Sequence, residues 1–309
     1  MKIDRRKFLT KTTGLAAIGL APFTHINATT TMQPNHFKPI ILATNWGYEG
    51  TLDSFCNKVK QAGYDGIEMW WPMDQNEQQL LFDTLKKYDL AIGFLCGVGE
   101  EDATKHIAAF KNMVNSLLDN TQQKPLYINC HSGKDYFSLD ANNEIIEFTI
   151  AQSKKSGIPI CHETHRSRML YSAPTTKQFM EKNEALRITL DISHWCNVHE
   201  SLLHDQENTV QMALSRTDHI HARIGHAEGP QVNDPRAPEW ATTVQRHLEW
   251  WDAVVQMKIK NGATSMTFLT EFGPPNYMPT MPYTQQPLSN QWDINVYMME
   301  LVRKRYQVN

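Results

Sequence analysis

From about residue 38 onward, short apolar runs alternate with amphipathic stretches along the chain. "PIILATNW" (39–46), "GIEMWW" (66–71), "AIGFLCGV" (core 92–98) and "PLYINCHSG" (125–133) read as strands. Each is followed by a helical pattern. The first helix (51–64) sets Leu52, Phe55, Val59 and Ala62 on one face. The second half repeats the rhythm with "IPICHETH" (158–165), "LRITLDISHW" (186–195), "DHIHARIGH" (218–226) and "SMTFLTEFG" (265–273). Helices are predicted over 175–183, 205–215, 238–261 and 291–307. Eight strand–helix pairs without a break in composition predict an α/β protein, a single (β/α)8 barrel. A doubly wound sheet is the alternative, but no GxGxxG or GxxxxGK[ST] follows the first strand.

In such a barrel, chemistry sits where strands run into the loops at their C-terminal ends. Those ends carry His131, then Glu163 and His165, Asp191 and His194, His221 and Arg223, and finally Glu271. Seven of the thirteen histidines fall in or beside them. Strand alternation places Thr189, Asp191 and Ser193 on one face, and His219, His221 and Arg223 on another. The eighth strand is less regular: Leu269 shares a face with Thr267 and Glu271, as an apolar filler one layer below the glutamate. The polar face is read as the barrel interior. Converging carboxylates there need protons or a cation, since isolated buried anions are costly.

Glu163, Asp191, His221 and Glu271 supply three carboxylates and one imidazole from successive strands, separated by 28, 30 and 50 residues. The first two intervals match the roughly 31 residues per unit of a 250-residue barrel. Oxygen-rich ligands with one nitrogen favour a divalent ion, Mn²⁺ or Mg²⁺, and also admit Co²⁺ or Zn²⁺. The competing reading is a set of strand-end ion pairs, with Arg166, Arg168 and Arg223 neutralising the acids. Trp46, Trp70, Trp71, Trp195, Tyr277, Tyr283 and Trp292 lie at strand ends or in the Pro-rich segment 273–292. Flat rings beside a polar site suit the C–H faces of a sugar, Trp46 among them.

Composition narrows the classes. Of 309 residues, 41% are hydrophobic and 20% charged, as in a globular protein with a sizeable core. Thirty basic against thirty-three acidic residues leave a net charge of -3, which argues against a nucleic-acid partner. Five cysteines show no CxxC spacing, so neither a zinc ribbon nor a thioredoxin motif is indicated, and buried reduced thiols are expected.

The order Glu, Asp, His, Glu on strands five to eight, carried by "HETH", "LDISHW", "HIHARIGH" and "LTEFGPP", resembles the xylose isomerase-like barrel superfamily from about residue 38 to 307. The resemblance implies a sugar isomerase or epimerase, with His194 as a substrate contact. Ketose 3-epimerases of that superfamily carry a Glu and an Arg where this chain has Met169 and Ala227, so the sequence departs from that branch. The N-terminus, with Arg5-Arg6 before Phe8-Leu9 and an Ala/Gly-rich stretch, resembles a twin-arginine export signal. The expected division is a signal over 1–28 and the barrel over 29–309, with the twin-arginine translocase as a transient partner and a periplasmic or otherwise exported location.

The resulting expectation is an exported, metal-dependent isomerase or epimerase acting on a carbonyl sugar or polyol derivative through an enediolate. Glu163 and Glu271 would transfer the proton, and His131, His165, His194 and Arg223 would hold hydroxyls or the oxyanion. A keto-sugar lyase or dehydratase on the same site and a non-catalytic exported carbohydrate-binding protein are the alternatives; a homo-oligomer is compatible with either. Replacing both Arg5 and Arg6 by Lys should trap the protein inside the cell, as read by fractionation. Normal export of the double-Lys variant would mean that another route reads the N-terminus.

Overall fold

The computed structural model describes residues 36–307; the expected export signal lies outside them. Eight parallel strands close into a barrel in sequence order: β1 (Lys38–Thr44), β2 (Gly66–Trp70), β3 (Ala91–Gly97), β4 (Ile128–His131), β5 (Ile160–Glu163), β6 (Ile188–Leu190), β7 (Thr217–His221) and β8 (Ser265–Thr270). β1 pairs with both β2 and β8, so the ring has no open edge. The helices are α1 (Leu52–Ala62), α2 (Gln75–Tyr88), α3 (Ala103–Leu118), α4 (Leu139–Ser156), α5 (Ala173–Lys182), α6 (Ile192–Val198), α7 (Glu207–Arg216), α8 (Ala241–Lys260) and α9 (Gln291–Tyr306). A short 3₁₀ turn, Pro238–Trp240, leads into α8.

Local chemistry starts the helices where the pattern changes. Thr51, Asp74, Asp102, Ser138 and Ser172 each accept a backbone N–H in the first turn of α1 to α5. Gly63 and Gly157 end α1 and α4 in the left-handed region. Among the described residues, no helix is long and apolar enough to cross a membrane. All five cysteines are buried and unbridged, as expected from the sequence.

The alternation of each strand divides the apolar residues into two cores. Ile41, Ile67, Phe94, Ile128, Ile188, Ile220 and Phe268 face outward into the layer shared with the helices. Leu42, Tyr127 and Leu269 form a small separate cluster within the ring, with Leu269 in the filler role anticipated for it. Tyr127 needs space there, and Gly93 supplies it: a Cβ on Gly93 would lie 2.4 Å from the phenol ring.

One expected strand gives way to a helix, and the seventh ends early, at His221. The run 186–195 does not continue as a strand: β6 stops at Leu190, and Asp191 instead caps α6, accepting the Ser193 N–H at 3.2 Å. Ser193 and His194 therefore belong to a helix. An Asp two residues before a Ser offers the backbone a capped helical start, and this local competitor outweighs the apolar run.

Gly93→Ala should lower stability by about 1–3 kcal/mol through overpacking against Tyr127. Chemical denaturation checks this; an unchanged midpoint and slope would mean the ring is not confined by Gly93.

Candidate metal and substrate site

Strand ends β5 to β8 bring Glu163, Asp191, His221 and Glu271 together at the mouth of the barrel. One ligand atom from each lies within 4.8 Å of the others, and all four residues are buried. Glu163 ends β5, pointing inward while His162 points out; His162 contacts Ser132 Oγ at 2.6 Å and Thr149 Oγ1 at 2.7 Å. That histidine is a packing residue between β5 and α4. Asp191 and Glu271 lie one step beyond β6 and β8, so their carboxylates reach the loop layer.

The hydrogen bonds show how the acids are held. Oε2 of Glu163 accepts from Asn129 Nδ2 at 2.7 Å and lies 2.7 Å from His131 Nε2. Its Oε1 is buried with no hydrogen-bond partner among the described residues. His221 Nδ1 sits 2.9 Å from Glu271 Oε2 and 3.6 Å from Glu163 Oε1. Arg223 donates through Nη2 to Asp191, lies 3.3 Å from Glu271 Oε2, and approaches His194 Nε2 at 3.0 Å. The ion pairs weighed as the competing reading thus exist for Arg223, whereas Arg166 turns to Asn197 and the Tyr277 ring.

Burial and charge set the protonation. Burial opposes ionisation of Glu163, but the His131 and His221 rings outweigh it and hold its carboxyl well below the usual range. Burial likewise opposes ionisation of Glu271; His221 and Arg223 prevail and hold it low. Asp191 goes the other way, pushed up to about 6 by burial, with Arg223 opposing and Glu271 and Glu163 adding to the rise. For His221 burial disfavours the charge, yet Glu271, Glu163 and Glu68 hold the ring well above its ordinary value. His165 is pushed down to about 3, mainly by burial and then by His131, and burial also holds His194 well below its ordinary value. Both rings are neutral near pH 7. A buried set of three acids, one imidazole and one orphaned carboxylate oxygen fits a divalent cation better than it fits self-contained pairing.

A cavity of about 320 Å³ opens over this cluster. Its polar floor includes His131, His165, Arg223 and Glu271; Trp46, Trp70 and Tyr277 form its walls. Trp46 meets Tyr277 edge-on at 4.8 Å, and Trp70 meets His131 edge-on at 5.5 Å. Gly273 permits this: a Cβ there would lie 2.3 Å from the Trp46 ring. His194 is fully buried behind His165, their ring centres 3.9 Å apart, and lies outside the cavity lining. Trp71 and Trp195 are buried in the outer layer, Trp292 packs on Tyr64, and Tyr283 is fully exposed.

Sequence reasoning overlooked Glu68, Asn129 and Tyr127. Glu68 is 2% exposed, accepts from Tyr127 Oη at 2.8 Å, and forms a cluster with His219 and His221. A usable signal was present: Glu68 is the sole charged residue in "GIEMWW", and alternation sets it on the face of Trp70.

No family model and no curated protein matches the chain. Solved structures do. An AP endonuclease of family 2 from Brucella melitensis shares 14% identity at a TM-score of 0.56, over 77% of this chain and 94% of that one. A xylose isomerase-like TIM barrel protein from Mycobacterium smegmatis, in complex with magnesium, shares 13% at 0.56, over 85% and 96%. A 3-keto-D-glucoside 4-epimerase from E. coli shares 10% at 0.55, over 86% and 100%. At such identities the likeness establishes the fold, a single (β/α)8 barrel.

Asp191→Asn and His221→Ala should each lose most of the bound divalent metal, as elemental analysis would show; stoichiometric metal in both would remove the site. Ligation requires Asp191 and His221 to shed their protons, and both hold them to higher pH than usual. Mn²⁺ affinity should therefore rise with pH and weaken as pH falls through about 6, where Asp191 takes up its proton. Calorimetric titration across that range checks the sign.

Proposed function

We propose that this chain is a divalent-metal-dependent carbohydrate enzyme of the xylose isomerase-like kind, isomerising or epimerising a carbonyl sugar or polyol derivative. The observation that carries the reading is the buried convergence of Glu163, Asp191, His221 and Glu271, with Glu163 Oε1 unpartnered, beneath a cavity walled by three aromatic rings. These four residues would hold the metal, which supplies Lewis-acid polarisation of a carbonyl and its neighbouring hydroxyl. The fold's likeness to a solved epimerase and to a xylose isomerase-like barrel in complex with magnesium supports the same class.

The chain's own residues divide the remaining work. Glu163 and Glu271 are the proton-transfer pair; both are held ionised, which suits a base. Glu271 reaches the cavity directly, and Glu163 is tied to it through His131. Arg223 carries a fixed positive charge beside the place where an oxyanion develops. His165, neutral and in the cavity lining, offers a hydrogen bond to a hydroxyl, and His194 holds Arg223 from behind. Trp46, Trp70 and Tyr277 stack on sugar C–H faces and exclude water. Reprotonation of the enediolate gives the isomer or epimer. Export by the twin-arginine route belongs to the proposal, on the strength of Arg5-Arg6, Phe8-Leu9 and the Ala/Gly-rich stretch after them.

Solvent-deuterium incorporation into a panel of keto-sugars and polyol derivatives, followed by NMR, tests the reading. An isomerase or epimerase exchanges the C–H next to the carbonyl; a lyase shows a β-elimination product; a binding protein shows neither. Glu163→Gln should lower exchange by roughly 10²–10⁴-fold from lost acid–base catalysis, with metal content measured in parallel. His165→Ala should raise KM and keep its metal. Wild-type turnover by metal-loaded Glu163→Gln would move the base to Glu271.

A further inference from the structure

Beside the four proposed ligands lies a second buried polar group, around Glu68, that the proposed chemistry leaves without a task. Glu68, from β2, is 2% exposed and belongs to the lining of the same cavity. Tyr127 donates its hydroxyl to Glu68 Oε2 at 2.8 Å, and the same phenol stacks on His219 with ring centres 3.8 Å apart. His219 Nδ1 is engaged by Thr267 at 2.8 Å. Glu68 Oε1 faces His221 Nε2 at 3.6 Å. A carboxylate this deep is costly unless something requires its charge.

The two nitrogens of His221 look in opposite directions. Nδ1 faces Glu271 and Glu163, and Nε2 faces Glu68 and Asn129. A nitrogen that ligates a cation must be bare, so the proton of the neutral ring then resides on Nε2. Asn129 Nδ2, 3.2 Å away, is itself a donor committed to Glu163. The acceptor facing Nε2 is therefore the Glu68 carboxylate. A movement of roughly 0.6 Å brings the pair to ordinary hydrogen-bond length.

We infer that Glu68 is a positioning residue for the metal site: with its orientation set by Tyr127, it accepts Nε2–H of His221 and so turns the Nδ1 lone pair toward the cation. This rests on the metal reading above. Carboxylates placed behind ligating histidines fix tautomer and ring direction and strengthen the ligand. The space made by Gly93 for the Tyr127 ring belongs to the same chain of contacts.

Titration of the metal-free full chain with Mn²⁺, following the free ion by electron paramagnetic resonance, tests the inference. Glu68→Gln, folded by circular dichroism, should bind Mn²⁺ about 10–100-fold more weakly than wild type. In the Zn²⁺-loaded wild type, ¹⁵N-histidine spectra should show the His221 proton on Nε2. A structural role alone would shift the unfolding midpoint without moving the Mn²⁺ dissociation constant. Folded Glu68→Gln with wild-type Mn²⁺ affinity therefore overturns the inference and leaves the metal reading standing. If Glu68→Gln does not fold, Tyr127→Phe takes its place, with a several-fold loss expected and an unchanged constant overturning it. Wild type that takes up no Mn²⁺ sinks both readings.

Discussion

Everything at the mouth of this barrel depends on gathering Glu163, Asp191 and Glu271 in one buried space with too few fixed cations to match them. Arg223 and His221 compensate part of the charge, and the balance shows in which acids remain ionised: Glu163 and Glu271 are held low while Asp191 rises to about 6. Such an arrangement is poor structural glue, because well-packed apolar residues of similar volume often stabilise as much or more. Its presence inside a closed ring is physically sensible where a divalent cation completes the charge.

The closed ring makes the arrangement rigid. Glu163, Asp191, His221 and Glu271 leave four consecutive strands that are paired to each other in parallel, so their separation is set by strand spacing rather than by loop conformation. Below them, Leu42, Tyr127 and Leu269 fill the interior. Glu68, His219 and Asn129 connect that apolar plug to the acids. The site thus joins an apolar plug, a buried polar cluster and an aromatic rim.

That rim gives the cavity a directional chemistry. Trp46, Trp70 and Tyr277 bring flat surfaces to a space whose floor is charged, and Arg223 lies under both Tyr277 and Trp46, at 4.8 and 6.0 Å from the ring centres. A ligand with one apolar C–H face and one oxygen-rich edge matches such walls and floor together. Purely apolar or highly charged ligands match one and are penalised by the other.

Much of this was legible in the sequence because strand alternation and strand–helix rhythm are local properties. Eight alternations predicted the barrel, and period two placed His219 and His221 inside and Ile220 outside, as the hydrogen bonds and core show. In the structure the same rule holds for β5, with Glu163 inside and its neighbour His162 outside. Where a local competitor existed, pattern reading overran: "LDISHW" looked like a continuing strand, but Asp191 caps α6 and carries Ser193 and His194 into a helix. Other features depend on residues far apart in the chain. Glu68 acquires meaning only when ring closure sets β2 across from β7, and Tyr127 only when Gly93 makes room for its ring. His131 binds Glu163, and Trp46 lies over Gly273, for the same reason. Periodicity tells which way a side chain points; which partner it meets across the barrel is decided by closure and register, which no short stretch of sequence contains.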